Sequence, residues 1–212
     1  MTRQAATTGE SRAASAVDSE RAHKAGIAKL LHDLRHRRRR FRQHVGVLFL
    51  ALLVALGEPV LGLWWAGVAL STLGMLVRLW ASGFVMKNEV LATVGPYARV
   101  RHPLYVGNFL ICVGFCAASG QWWSAPAALV LWLAFYPDTI RYEDQKLRRL
   151  FPGDWDRWAS ETRALWPRLT AYRGNGERVE WSLKRSFLRN GEPLHILLMG
   201  AGLWWLHTRL GG

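Results

Sequence analysis

The residues best suited to chemistry lie together at 95–108. There Gly95, Pro96, Tyr97, Arg99, Arg101, His102 and Pro103 form a short polar segment that runs straight into an apolar one at Leu104. Pro103 suits the first position of a helix, where its missing N–H costs nothing. Such a helix start presents unpaired N–H groups and the positive end of the helix dipole. With Arg99 and Arg101 beside it, this place is predicted to attract an anion such as a carboxylate or phosphate. Further on, Tyr105, Asn108, Cys112, Cys116 and Ser119 recur at spacings of three and four, a weakly polar stripe on an apolar helix. Polar groups in a bilayer face the bundle or a cavity. Tyr105 and Asn108, next to the basic segment, read as site residues. Helix packing is the favoured reading of Cys112, Cys116 and Ser119, with Cys112 kept as a cavity candidate. No disulfide, redox or metal role is expected for the two cysteines.

Three acids and one arginine complete the set. Arg78 lies near the end of an apolar segment, where it either snorkels to the interface or points into the same cavity. Asp138 is its candidate partner. Glu143 and Asp144 are adjacent; on a helix they fan about 100° apart, so both can line a rim without forming one facing pair. The plain alternative is charged helix surface, paired with Lys146, Arg148 or Arg149.

The elements that must position these groups are apolar helices. Half of the 212 residues are hydrophobic, 12 are Trp, and the formal net charge is +13. Charge is segregated: residues 1–44 hold 11 Lys/Arg against 4 Asp/Glu, 45–77 hold only Glu58, and 102–137 hold none. That distribution predicts a membrane protein with charged ends rather than a nucleic-acid binder. Residues 1–22 read as a disordered tail with no secretory signal. Over 23–44, Ile27, Leu30, Leu31 and Leu34 make an apolar stripe ahead of a basic run at 35–42. An interfacial amphipathic helix touching anionic lipid headgroups is expected there.

The fold expected is all-α: a polytopic integral membrane helical bundle of about five membrane helices. Glu58-Pro59 breaks the first apolar region into helices near 42–57 and 60–83. Helices over 104–119 and 122–140 form a second hairpin with its tip at Ser119-Gly120. Residues 45–167 are read as the core, 168–192 as a cytoplasmic linker, and 193–212 as a last membrane segment. The tips at 58–59 and 119–123 carry no Lys or Arg, whereas 1–44, 84–103 and 141–192 carry nearly all of them. The positive-inside rule then puts the N-terminus and the 95–108 segment on the cytoplasmic side. The pairs Trp64-Trp65, Trp122-Trp123 and Trp204-Trp205 fall at the opposite boundary, as an aromatic belt would.

Together these motifs resemble the isoprenylcysteine carboxyl methyltransferase and phospholipid methyltransferase superfamily. The resemblance rests on Gly95-Pro96-Tyr97, then Arg101-His102-Pro103-Leu104-Tyr105-Val106-Gly107-Asn108, then Glu143-Asp144. It continues through Phe151-Pro152-Gly153-Asp154-Trp155 to Trp166-Pro167, and RLWASG at 78–83 is similar to the preceding helix. Asp144 stands where the family commonly shows a second Glu, which keeps the charge and shortens the reach. The resemblance implies an S-adenosylmethionine-dependent membrane methyltransferase. Its cofactor pocket would be lined by Gly95, Tyr97, Arg101, His102, Tyr105, Gly107, Asn108, Glu143 and Asp144. Arg101 and His102 are the candidates to assist the acceptor. Arg78, Cys112 and Asp138 are candidates for a substrate cavity.

Methyl transfer from a sulfonium has a good leaving group and needs positioning and desolvation more than a nucleophilic triad. A lipid-like acceptor, reached from the bilayer, is the expectation. The alternative is an NADPH-dependent membrane reductase of sterol-reductase-like architecture, which carries a similar Arg-His-Pro-x-Tyr motif.

Overall fold

The computed structural model describes residues 44–174 and 179–211. The chain parts into two units, Met1–Val45 and Gly46–Gly212. The disordered tail, the interfacial helix and the basic run at 35–42 lie outside the described residues.

Six α-helices carry the described chain: α1 (His44–Leu56), α2 (Leu61–Ser82), α3 (Pro103–Ser119), α4 (Ser124–Leu150), α5 (Asp154–Glu161) and α6 (Glu192–Thr208). A 3-10 turn spans Gly95–Ala98 and a π-helical turn Arg185–Arg189. The described residues form no β-strand; one isolated parallel bridge joins Val100 to Arg163. The all-helical expectation holds. Of the described helices, α2 alone is long and apolar enough to cross a membrane, while α1 and α3 are apolar but shorter.

Both expected breaks occur where the residues demand them. Pro59 separates α1 from α2 by disfavouring helix at Glu58. Gly120 ends α3 at φ +68°, a left-handed conformation that costs glycine little. The two turns meet: the Glu58 N–H donates to the Ser119 carbonyl at 2.8 Å, and Gln121 Nε2 donates to the Leu56 carbonyl at 2.6 Å. The end of α6 reaches the same place, where Arg209 donates to the Ala55 carbonyl at 2.7 Å. Helix α4 outruns its expected end near 140. Pro137 is accommodated inside it, and residues 141–150 are rich in Glu, Gln, Lys, Arg and Leu, all good helix formers.

Helices α2 and α3 are joined by a seam of small residues. A Cβ on Gly74 would lie 2.6 Å from the Gly107 carbonyl, and one on Gly114 2.7 Å from the Gly67 carbonyl. Backbone meets backbone there, the packing that apolar helices use when hydrophobicity cannot drive association. Beside the seam, Phe49, Leu53, Trp64, Phe115, Cys116, Leu203 and Leu206 form one buried cluster. A second cluster of Ala81, Leu91, Tyr97 and Trp158 lies under the polar loops. There Trp158 Nε1 donates to the Tyr97 carbonyl at 2.9 Å and pins the Gly95–Ala98 turn. Residues 163–172 run beside 98–102, with Arg101 N–H to Arg163 O at 2.9 Å and His102 N–H to Ala164 O at 3.0 Å.

Candidate active site

His102 is the residue before α3, with φ −122° and ψ 63°, and Pro103 follows at the first helical position. This puts the imidazole at the helix mouth, facing the extended part of α4. Its Nε2 lies 3.0 Å from Asp144 Oδ1 and its Nδ1 3.6 Å from Glu143 Oε2. Tyr105, one turn along α3, donates its hydroxyl to Glu143 Oε1 at 2.5 Å. Arg101 Nη2 lies 3.4 Å from Asp144 Oδ2, its Nη1 donates to the Ala159 carbonyl at 3.1 Å, and its guanidinium sits 5.8 Å from the Trp155 ring. The fan of Glu143 and Asp144 therefore does not separate them: one imidazole offers a nitrogen to each. Arg148, an expected surface partner, pairs with Asp156 instead, at 2.9 Å.

Electrostatics follow from this geometry. Burial alone disfavours charge on His102, but the hydrogen bonds and negative charges of Asp144 and Glu143 outweigh it and raise its pKa above the ordinary histidine range. Asp144 is shielded, with 17% of its side chain exposed, whereas Glu143 is 43% exposed. Burial, reinforced by the charge of Glu143, pushes the Tyr97 phenol above its ordinary range, so it stays neutral.

A second cluster lies deeper on the same face of α3. Asn108 accepts a hydrogen bond at Oδ1 from Arg78 Nη1. The expected partner of Arg78, Asp138, is not there. Asp138 is exposed and pairs with Arg141 at 3.8 Å, one turn along α4. Arg78 is paired instead with Glu192 on α6, through Nε to Oε2 at 3.1 Å and Nη2 to Oε1 at 2.9 Å. Arg78 is thus buried and ion-paired rather than snorkelling.

The remaining candidates take structural positions. Cys112 and Cys116 pack with the apolar cluster around Phe115 and Leu203. Gly107 faces α2, where a Cβ would come within 2.6 Å of Arg78 Cγ. Gly95 holds φ +62° with the Phe84 ring against it. An aromatic run escaped the sequence reading: Tyr105 meets Tyr136 edge-on at 5.2 Å, Tyr136 stacks on Trp132 at 5.0 Å, and Trp132 meets Phe109 at 5.4 Å. Its signal was available, since Trp132 and Tyr136 are four apart on one helix. Apart from these groups, a cleft of about 590 Å³ is lined by Leu91, Thr93, Phe151, Asp154 and Tyr172 among others, and by none of the residues expected to line the cofactor pocket.

The chain brings a cation-rich helix mouth, an exposed carboxylate and an aromatic face into one place. The phospholipid methyltransferase family model matches residues 50–154, the span that contains both polar motifs. The chain belongs to that family. That family is part of the isoprenylcysteine and phospholipid methyltransferase group. The chain is 36% identical over 181 residues to the cobalt-zinc-cadmium resistance protein CzcN of Cupriavidus metallidurans, covering 79% of this chain and 81% of that protein. It is 40% identical over 151 residues to the nickel-cobalt-cadmium resistance protein NccN of Alcaligenes xylosoxydans xylosoxydans, covering 66% and 68%. No solved structure matches significantly.

The site's chemistry suits the family's methyl donor, S-adenosylmethionine. A zwitterionic amino-acid end needs a donor for its carboxylate and an acceptor for its ammonium. Arg101 Nε is buried with no partner among the described residues, so it is a donor held in reserve. Glu143, the most open acid of the cluster, would serve as the acceptor.

Proposed function

We propose that this chain is an integral membrane methyltransferase that moves a methyl group from S-adenosylmethionine to a lipid-like acceptor. The observation that carries the reading is the convergence of Arg101, His102, Tyr105, Glu143 and Asp144 at one end of α3, beside the aromatic run. Bound S-adenosylmethionine supplies an electrophilic methyl group on a sulfonium. Arg101 and the start of α3 hold the carboxylate; Glu143 holds the ammonium, and the Asn108 amide N–H groups donate to the ribose hydroxyls. Gly95 and Tyr97 shape the turn that closes the pocket. Tyr136, Trp132 and Phe109 give the acceptor an apolar, water-excluding approach, and an aromatic face also favours a cationic sulfonium.

His102 is not the base in this arrangement. Both ring nitrogens face carboxylates, and an imidazolium has no lone pair with which to accept a proton. It orients the acids, with Arg101 sharing Asp144.

In this reading α1, α2, α3, α4 and α6 all lie in the bilayer, the N-terminus and site are cytoplasmic, and the run at 35–42 meets anionic headgroups. The joined tips at Glu58 and Ser119 support a common side for both hairpin turns. The relatives' names speak of metal resistance; we take the methylated acceptor here to be a membrane component whose modification serves that purpose. The family match gives the reductase alternative no support.

The test is ligand binding by the full chain in detergent, with His102→Ala and Glu143→Ala as controls. Saturable S-adenosylmethionine binding, lost in both variants, is the expected result. Transfer of label from methyl-tritiated donor into an extracted membrane-lipid fraction would follow. Binding of NADPH alone would sink the reading.

A further inference from the structure

Glu192 is the most deeply buried acid among the described residues, at 1% exposure, and it lies 38 residues beyond the segment that the family model matches. A carboxylate in such a place must be paired, and its partner is Arg78, itself 7% exposed. The pair is a fork: two guanidinium nitrogens reach the two carboxylate oxygens at 3.1 and 2.9 Å. A bidentate contact fixes the plane of the guanidinium. With that plane fixed, Nη1 has one direction left, and it points at Asn108 Oδ1.

The consequence falls on Asn108. A guanidinium only donates, so the Asn108 oxygen must be the atom turned toward Arg78. The amide nitrogen, with two N–H donors, is thereby turned the other way. Asn108 lies three residues from Tyr105, on one face of α3, and six residues beyond His102.

Several contacts deliver Glu192 to this position. Ser186 and Ser82 share a hydrogen bond at 2.6 Å, and Asn190 Nδ2 donates to the Ser82 carbonyl at 2.9 Å. Gly191, at φ +69°, turns the chain into α6 so that Glu192 occupies its first turn. An acid is favoured there by the helix dipole.

We infer that Glu192 is a positioning residue for the methyl-donor site: acting through Arg78, it sets which way the Asn108 amide faces. The last helix is thereby a working part of the site and more than an anchor. This inference rests on the S-adenosylmethionine reading, and its test separates the two.

The experiment uses the full chain in detergent, labelled with 15N at asparagine side chains. The Asn108 amide signal is assigned by its loss in Asn108→Ala. Glu192→Gln, which keeps the shape and removes the charge, should move that signal, while Leu197→Ala, at a 67% exposed position of the same helix, should not. S-adenosylmethionine affinity should fall about tenfold or more in Glu192→Gln, the loss expected for a hydrogen bond to a charged group. Glu192→Asp should restore part of it. Asn108→Ala should weaken binding similarly, and the double variant should be no worse than either single one. If Glu192→Gln does not fold, Arg78→Lys, which keeps the charge and removes the fork, carries the same comparison. An unmoved Asn108 signal overturns the inference whatever the cofactor. A moved signal with unchanged affinity also overturns it. A moved signal in a protein that binds no S-adenosylmethionine supports the linkage and overturns the methyl-donor reading instead.

Discussion

Replacing Gly67 by alanine tests the α2–α3 seam, because two effects of opposite sign compete. In an open helix the substitution stabilises by up to about 1 kcal/mol, since glycine is the poorer helix former. At Gly67 the new Cβ would lie 2.6 Å from both the Cβ and the backbone nitrogen of Ala118. That is about 1 Å inside the separation of roughly 3.5 Å at which carbon contacts become attractive. Neither obstacle is a flexible side chain that could swing aside, so the helices must part. Overpacking of this kind costs about 1–3 kcal/mol, with backbone obstacles at the upper end. The net expectation is destabilisation by about 1–2 kcal/mol. Gly200, mid-way along α6, is the control, because a Cβ there meets nothing within 4 Å. Thermal unfolding in detergent should show Gly67→Ala melting about 2–8 °C below the parent and Gly200→Ala at or up to about 4 °C above it. Equal upward shifts in both variants would refute the seam. The separation should also be felt at the site, because Gly74, Gly107, Arg78 and Asn108 lie further along the same contact.

The other predictions follow from the two charge clusters and the turn. Asp144→Asn removes the strongest support for His102 charge while burial remains, so the His102 pKa should fall, as read from its ring signals in an NMR titration. Because the folded pKa is raised, His102 contributes stability in full below its unfolded value of about 6.5 and loses it as pH rises through the folded value. The parent should therefore lose more stability across that window than Asp144→Asn does in thermal melts. Asp138→Asn should change stability by less than about 0.5 kcal/mol, since its pair with Arg141 is exposed on both sides; a large loss would mean that Asp138 has a buried role. Trp158→Phe leaves the Tyr97 carbonyl without its donor and should cost about 1–3 kcal/mol in the same assay. Under the proposed topology, Trp122→Cys should react with a membrane-impermeant thiol reagent from the non-cytoplasmic side only, Trp122 being 85% exposed.

What was legible in the sequence was local. Pro59 and Gly120 act on their own backbone, so the breaks at the two tips could be read from the chain. Pro103 marked the start of α3 for the same reason. The alliance of His102 with the acids came from the resemblance; by residue type alone Glu143 and Asp144 passed for helix surface. What was not legible depends on distant partners. Arg78 and Asp138 both sit near the polar ends of their apolar stretches, and nothing in either segment reveals that Asp138 is exposed. Glu192 lies 114 residues from Arg78, in a stretch that reads as the polar edge of the last apolar segment. The seam at Gly67, Gly74, Gly107 and Gly114 has a seven-residue repeat, but in small residues rather than large ones, so a search for apolar periodicity passes over it. The end of α4 was misplaced because the apolar pattern stops at 140 while helix propensity continues.

The two clusters on α3 differ in a way that suits different tasks. At the helix mouth, His102, Arg101, Glu143 and Asp144 share charge among several partners, and Glu143 is open enough to exchange one of them for a ligand. A group of this kind can take up a zwitterion by trading internal contacts for external ones, at little net cost in paired charge. One and a half turns deeper, Arg78 and Glu192 are closed to water, and the fork leaves no alternative geometry at comparable energy. Breaking that pair would strand a buried charge, so this cluster does not exchange partners; it transmits position. Asn108 therefore has its orientation set from behind by the buried pair. Tyr105, between the clusters, is tied by its hydroxyl to Glu143 and by its ring to the aromatic run. A donor held at the mouth and an acceptor arriving along the aromatic face would meet near Tyr105, where the fixed and exchangeable parts of the site adjoin.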